Sequence, residues 1–148
     1  MSYPPLLKFA SIDEYRGFFE RTYCTGSIAT FDGIKVRFRK TDFDHCSFES
    51  SRRNHIKDQF SPQRAERLGW IKAALQDVSG ERYVGWDKAR KKHDSNRRVT
   101  IVQGNYVVVI AVYGKDLARA RFITAYVADT PQSLQKIRRG PVWAQKNR

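Results

Sequence analysis

The sequence has few cysteines and no long apolar run. Its two cysteines, Cys24 and Cys46, do not form a C-x-x-C pair. The first residues, Met-Ser-Tyr-Pro-Pro-Leu-Leu-Lys-Phe, lack the apolar stretch of a signal peptide. No segment approaches the roughly 18 apolar residues that a membrane span needs. These absences predict a protein of the reducing cytoplasm that does not span a membrane.

Acidic residues are also scarce relative to basic ones. The chain holds 15 Asp and Glu against 28 Lys and Arg, which gives a net charge of +13 and a pI near 10.1. Solubility alone requires far less charge, so a polyanion is the expected partner, and nucleic acid suits a protein of this size.

The length of 148 residues and a hydrophobic fraction of 41% suit one globular domain with a real core. We therefore predict a single domain over residues 1–148. It comprises an N-terminal helical segment at 1–30, a core at 33–139 and an uncapped basic tail at 140–148.

Three sequence signals predict helix starts. Ser11 is a favoured N-cap, and Glu14 three residues later completes a capping box. Ser61 and Thr130 are each followed by proline, which is tolerated at the first helical position because its missing N–H donor would be unpaired there. The predicted helices are 11–21, 61–77 and 131–138.

Alternating and β-rich runs predict strands. Residues 34–39 follow the Asp32-Gly33 turn signal and alternate apolar with cationic side chains, so Arg37 and Arg39 should face solvent or a ligand. The Gly104-Asn105 turn and the short connections of the later runs favour an antiparallel meander. Its predicted strands are 82–86, 97–103, 105–113 and 119–127. The predicted fold class is α+β, a four-stranded antiparallel meander sheet packed with N-terminal helices and a short C-terminal helix.

A strongly basic loop lies between the first two meander strands. Residues 88–98 hold six Lys or Arg against a single Asp, a composition that suits phosphate contacts. The predicted nucleic-acid-binding residues in this loop and on the strand at 34–39 are Lys88, Arg90, Lys91, Lys92, His93, Arg97, Arg37 and Arg39.

Motifs of metal and cofactor chemistry are missing from the sequence. Its three histidines and two cysteines lack the spacing of zinc ligands, and no paired acidic cluster offers a magnesium site. The P-loop, Rossmann and G-x-S-x-G patterns are absent as well. Chemistry that needs neither metal nor cofactor remains. In RNA cleavage of that kind, a ribose 2′-hydroxyl attacks the adjacent phosphate with the help of a base, a cation and an acid.

His45 is the best histidine for such chemistry. Phe43 and Phe48 predict its partial burial, while Asp44 and several basic residues lie nearby in the sequence. His93 fits a polar loop, and His55 is the weakest candidate.

The order of these elements resembles the phage-associated branch of the barnase, EndoU, colicin and RelE-type (BECR) nuclease superfamily. The resemblance covers roughly residues 33–139. It rests on a first strand with a phrase ending in His45, an Arg-rich helix with Leu68, Trp70-Ile71 and Ala74-Leu75, and a last strand with Phe122-Ile-Thr124-Ala-Tyr126. It implies a BECR-like fold, in which helices pack on a four-stranded antiparallel sheet, and metal-independent ribonuclease activity.

The resemblance also implies site residues. His45 matches a histidine placed before the helix, and Thr124 with Tyr126 matches the hydroxyl-bearing end of the last strand. An arginine at the start of the second meander strand corresponds to Arg97 or Arg98, of which alternation lets only one face the site. The predicted catalytic set is His45, Arg98, Thr124 and Tyr126, with no metal and no cofactor.

Two functions of different classes explain the charge. The first is a metal-independent ribonuclease, a toxin or prophage-borne effector that acts on tRNA or mRNA and has an antitoxin or immunity protein as a partner. The second is a non-catalytic RNA- or DNA-binding module that stacks bases on Trp86, Tyr83 or Tyr113. A phage structural or partner-binding protein, the third class, leaves the basic loop unexplained. Only the ribonuclease requires His45 and Thr124 to converge within about 8 Å of each other, beside Arg97 or Arg98.

Overall fold

The computed structural model describes residues 3–49, 59–87, 92–93, 98–114 and 118–143, with the backbone alone for 86–87 and 92–93. These residues form an α+β fold of five helices and ten strands. The helices are α1 (Ile12–Tyr23), α2 (Asp42–Ser47), α3 (Pro62–Ala65), α4 (Leu68–Gln76) and α5 (Pro131–Arg138). The strands are β1 (Ser27–Ala29), β2 (Lys35–Arg37), β3 (Phe48–Glu49), β4 (Gln59–Phe60), β5 (Glu81–Val84), β6 (Trp86–Asp87), β7 (Lys92–His93), β8 (Arg98–Gln103), β9 (Tyr106–Tyr113) and β10 (Arg119–Val127).

The main sheet is mixed, with its described strands in the order β1-β2-β10-β9-β8-β5. The pairs β5–β8, β8–β9 and β9–β10 are antiparallel, whereas β2 pairs in parallel with β10. The predicted four-stranded antiparallel sheet is therefore wrong, because β1 and β2 extend the sheet and make it mixed. A parallel pair needs a long crossover, which the chain from α2 to β9 supplies. No local sequence signal reveals a pairing between strands so distant in the chain.

The hairpin between β8 and β9 confirms the turn predicted at Gly104-Asn105. Gln103 pairs with Tyr106, so Gly104 and Asn105 alone connect the two strands. Gly104 has a φ of +61°, a conformation that glycine adopts without the steric cost of a side chain. This turn fixes the register of the two strands on which the site depends.

One face of the sheet packs against α1, α2 and α4. Four aromatic side chains of this core are fully buried, and they are Phe19, Tyr23, Phe43 and Phe122. The residues around β2 confirm the predicted alternation. Three of them are buried, namely Ile34, Val36 and Phe38, and three are exposed, namely Lys35, Arg37 and Arg39. The cations of β2 therefore lie on the opposite face of the sheet from the core.

The second face is covered at one end by α5. Leu134 and Ile137 of this helix pack against Val102 and Val107 of the central strands. Helix α5 spans the predicted residues 131–138, and the Thr130 hydroxyl accepts the N–H of Ser133 as its cap. The other end of this face carries the cations of β2.

Two predicted helices are present with different bounds. Helix α1 begins after Ser11, whose hydroxyl accepts the N–H of Glu14, as the capping signal predicts. The helix predicted at 61–77 is two helices, because the chain turns between α3 and α4. There the carbonyls of Glu66 and Arg67 accept bonds from the Leu7 N–H and the Tyr106 hydroxyl. The Arg67 carbonyl also accepts the Trp70 N–H, so a tightened local bond and partners from distant elements together hold the turn.

The start of the predicted tail belongs to the fold. The Val84 N–H donates to the carbonyl of Pro141, and the Trp143 N–H donates to that of Arg82. Trp143 is buried, which explains why the chain follows β5 here. Residues 144–148 lie outside the described residues. In the part of the chain described, no helix combines the length and apolarity needed to cross a membrane.

Candidate active site beside the last strand

A β-bulge in β10 places polar side chains from its two halves on one face of the sheet. Arg121 lies opposite Ala111 of β9, and Thr124 lies opposite Val109, with a register shift between Phe122 and Thr124. In a regular strand, residues 121 and 124 would point to opposite faces. Ala111 and Val109 share a face, so the bulge brings Thr124 to the face of Arg121.

Thr124 contacts His45 across 79 positions of the sequence. Its hydroxyl donates to the backbone carbonyl of His45, with 2.9 Å between the oxygens. Strand β2 pairs only with residues 119–121 of β10, so α2 can lie beside the second half of β10. His45 and Thr124 thus converge, and the contact joins the side chain of Thr124 to the backbone of His45.

The surroundings of His45 differ from the prediction. His45 lies inside the short helix α2, which the sequence reading missed, and its side chain is exposed instead of partly buried. Four residues of this helix are buried, namely Asp42, Phe43, Cys46 and Ser47, and the exposed positions fall to Asp44 and His45. An exposed imidazole can reach a bound ligand and exchange protons with it.

Cys46 is a poor nucleophile despite its position beside His45. Its side chain is 1% exposed, and burial raises the pKa of its thiol to about 12. The thiolate, which is the reactive form, is therefore absent near neutral pH. This leaves the imidazole as the group of α2 that is suited to chemistry.

Tyr126 shares the face of Thr124 because it lies opposite Val107, two residues from Val109. Burial raises the pKa of its phenol, and the nearby Arg64 opposes that rise. The phenol therefore stays protonated near neutral pH and is able to donate a proton.

Arg64 is a site residue that the sequence reading missed. Its guanidinium lies over the Tyr126 ring, 5.8 Å from the centroid, and pairs with the Glu49 carboxylate at 3.3 Å. It also donates to the carbonyl of Phe48 at 3.4 Å. The Ser61 cap of α3 sets the start of the helix that carries Arg64. The signal for it in the sequence is the arginine content of the segment after Ser61.

Arg98 opens β8 and faces the same side as Thr124. It lies opposite Ala111, which in turn lies opposite Arg121, and Arg121 lies opposite Arg37. Because directly opposite residues share a face, the three arginines form one row across the sheet. Arg98 and Arg121 are two strand spacings apart, about 10 Å. At this distance Arg98 does not contact Thr124 directly. A bound chain of phosphates would connect the two residues.

Gly85 leaves room for Arg98. The Gly85 N–H donates to the Arg98 carbonyl at 2.9 Å, and a Cβ at position 85 would come within 2.6 Å of the Arg98 Cβ. Any larger residue at position 85 would force β5 away from the start of β8. Glycine there allows Arg98 to hold its place in the row.

The remaining predicted binding residues are placed unevenly. Arg37 is exposed in β2, whereas Arg39 is partly engaged, because its guanidinium lies 3.8 Å from the Asp42 carboxylate. Lys92 and His93 lie in β7, which pairs with β6, so this part of the predicted basic loop is a strand. Four predicted residues lie outside the described residues, namely Lys88, Arg90, Lys91 and Arg97.

Within the described ranges, no three residues among His, Cys, Asp and Glu are grouped as ligands of a metal ion would be. Comparisons of the chain with protein-family models, curated proteins and solved structures find no match. The candidate site therefore rests on the geometry of this chain alone.

Proposed function

We propose that this protein is a metal-independent ribonuclease of the BECR type, with its site on the face of β10 beside α2. The observation that carries the proposal is the hydrogen bond between Thr124 and the carbonyl of His45. It joins two distant parts of the chain at the point where the bulge turns Thr124 toward the arginine row. A non-catalytic binding surface has no need of this convergence.

Each group has a role in cleavage. The His45 imidazole takes the proton from a ribose 2′-hydroxyl as that oxygen attacks the phosphorus. Arg64 stabilises the extra negative charge of the pentacovalent phosphate, and Arg98 binds a neighbouring phosphate of the same strand. The bond from phosphorus to the 5′-oxygen then breaks, and the protonated Tyr126 supplies the proton to the leaving oxygen. The products are a 2′,3′-cyclic phosphate and a free 5′-hydroxyl.

Cleavage in the presence of EDTA tests the proposal directly. Purified protein should cut RNA in EDTA and leave a 2′,3′-cyclic phosphate, because the 2′-hydroxyl is the nucleophile. The same oligonucleotide with deoxyribose at the cleaved position should stay intact. Loss of activity with the metal, or cleavage of the deoxy substrate, would contradict the proposal.

Thr124 acts as a positioning residue, since its hydroxyl already donates to the backbone of α2. Thr124→Val keeps the shape but removes this bond, which is worth about 1 kcal/mol, so kcat should fall about 5- to 10-fold with KM nearly unchanged. Thr124→Ser retains the hydroxyl and should recover most of the rate. A valine variant with the wild-type kcat would show that the bond is structural only.

The second candidate, a non-catalytic RNA- or DNA-binding module, is favoured by the exposed cations of the sheet. Both candidates predict binding that weakens steeply with salt. With about four to six phosphate contacts to a single strand, the slope of log K against log salt should be roughly −3 to −4. Binding measured between about 50 and 200 mM salt checks this slope. A slope near zero would contradict both candidates.

A further inference from the structure

The parallel pair of β2 and β10 sets cations directly opposite each other. Lys35 lies opposite Arg119, and Arg37 lies opposite Arg121. All four side chains are exposed, and all four share one face because the two positions in each strand are two residues apart. Their Cα atoms outline a rectangle of about 5 by 7 Å. We call these four residues the cation square.

The cation square has an energetic cost for the fold. Like charges directly opposite each other in a sheet are destabilising. In the described ranges, none of the four forms an ion pair with an acidic residue, although other arginines of this chain do. A cluster of this kind is explained by an anionic ligand that neutralises it on binding.

The surface around the cation square limits the shape of that ligand. The row continues from Arg37 through Arg121 to Arg98, which spans three strand spacings, about 15 Å. Helix α5 covers the sheet beyond it. Tyr113 lies opposite Arg119, with the guanidinium 5.3 Å from its ring centroid. As far as the structure describes this area, it is a short band of cations beside the Tyr113 ring.

We infer that the cation square binds consecutive phosphates of single-stranded RNA, which crosses β2 and β10 on its way to Thr124 and His45. This inference rests on the proposed function for the identity of the strand as a substrate. A single strand fits because the band holds a few phosphates of one backbone, whereas a duplex presents two backbones across a groove. The bases of a single strand are also free to stack on Tyr113.

The test removes two charges of the cation square and measures binding without cleavage. The probe is a 2′-O-methyl RNA decamer, which lacks the attacking hydroxyl. Arg119→Ala/Arg121→Ala should weaken its binding by about 10- to 100-fold at low salt. The salt slope should become less steep by about 1.4, because two phosphate contacts are lost.

A matched control removes the same charge from the helical layer. Arg21 of α1 and Lys72 of α4 are both exposed, and Arg21→Ala/Lys72→Ala should keep the probe affinity within about twofold with an unchanged slope. The urea midpoint of the single variant Arg121→Ala, which keeps the contact of Arg119 with Tyr113, should be equal to or above that of wild type, since one pair of opposed like charges is gone. A midpoint well below wild type would contradict the charge argument.

Further outcomes separate this inference from the proposed function. Equal losses in the two double variants, or tighter binding of an RNA duplex than of the decamer, would overturn the cation square as a single-strand site. If wild type binds the decamer as expected but cleaves no RNA, the ribonuclease proposal fails and the binding site stands. If wild type cleaves RNA while the double variant binds normally, the reverse holds.

Discussion

His45→Ala is expected to lower the rate of RNA cleavage by about 10²- to 10⁴-fold while leaving RNA affinity nearly unchanged. Proton transfer contributes to the transition state, whereas phosphate binding depends on the cations. The exposed side chain of His45 makes no contact that the fold requires, so the free energy of unfolding should change by no more than about 0.5 kcal/mol. Single-turnover cleavage and binding of the 2′-O-methyl decamer separate the two effects.

His55→Ala is the matched control, because it removes a second imidazole from the same chain. It should cleave RNA at the wild-type rate. Equal rates for wild type and His45→Ala would remove His45 from the mechanism. A loss of decamer binding in His45→Ala would show that His45 contacts the RNA before the reaction and is not specific to the transition state.

Local signals predicted several individual elements of this fold. The Gly104-Asn105 turn and the alternation at 34–39 each depend on residues within a few positions, and both agree with the structure. Helix α5 likewise follows its Thr130 cap. Such features are encoded by backbone preferences and by the side-chain period, which a single sequence displays directly.

Distant pairings could not be predicted in the same way. The parallel contact of β2 with β10 joins residues more than 80 positions apart, and neither strand carries a mark of its partner. The break between α3 and α4 depends on bonds from Leu7 and Tyr106, which belong to other elements. Tertiary contacts of this kind override local propensity.

In the candidate site, too, some features could be predicted from the sequence and others depend on the tertiary structure. The resemblance pointed to Thr124 and Tyr126. Simple alternation along the strand would have placed both side chains on the other face of the sheet from Arg121. The bulge that reverses this arrangement has no clear signature in the sequence Phe122-Ile-Thr124. Arg64 was missed because a polar residue at the start of a helix is most often solvated. Its proposed role rests on its place over Tyr126.

The Arg64→Met variant is expected to reduce cleavage by about 10²- to 10³-fold, which is the usual effect of removing one group that stabilises the charge of a transition state. Methionine keeps much of the side-chain length beneath the Tyr126 ring, so packing is largely preserved. Arg64→Lys keeps the charge but loses the planar fork, and an intermediate rate is expected. Measurements of kcat and KM for both variants locate the loss in the chemical step.

Glu49→Gln tests whether the carboxylate of Glu49 competes with a phosphate for Arg64. The Glu49 carboxylate pairs with Arg64 and competes with a phosphate for it. Arg64 is only 17% exposed but Glu49 is 43% exposed, and the oxygen of the Gln amide can still accept from Arg64, so the change should cost the fold roughly 1 kcal/mol. Removing the carboxylate should therefore leave the fold intact, tighten decamer binding a few-fold and preserve cleavage. A loss of cleavage as large as that of His45→Ala would instead identify Glu49 as the base, because a carboxylate can take up the proton of the 2′-hydroxyl and the amide of glutamine cannot.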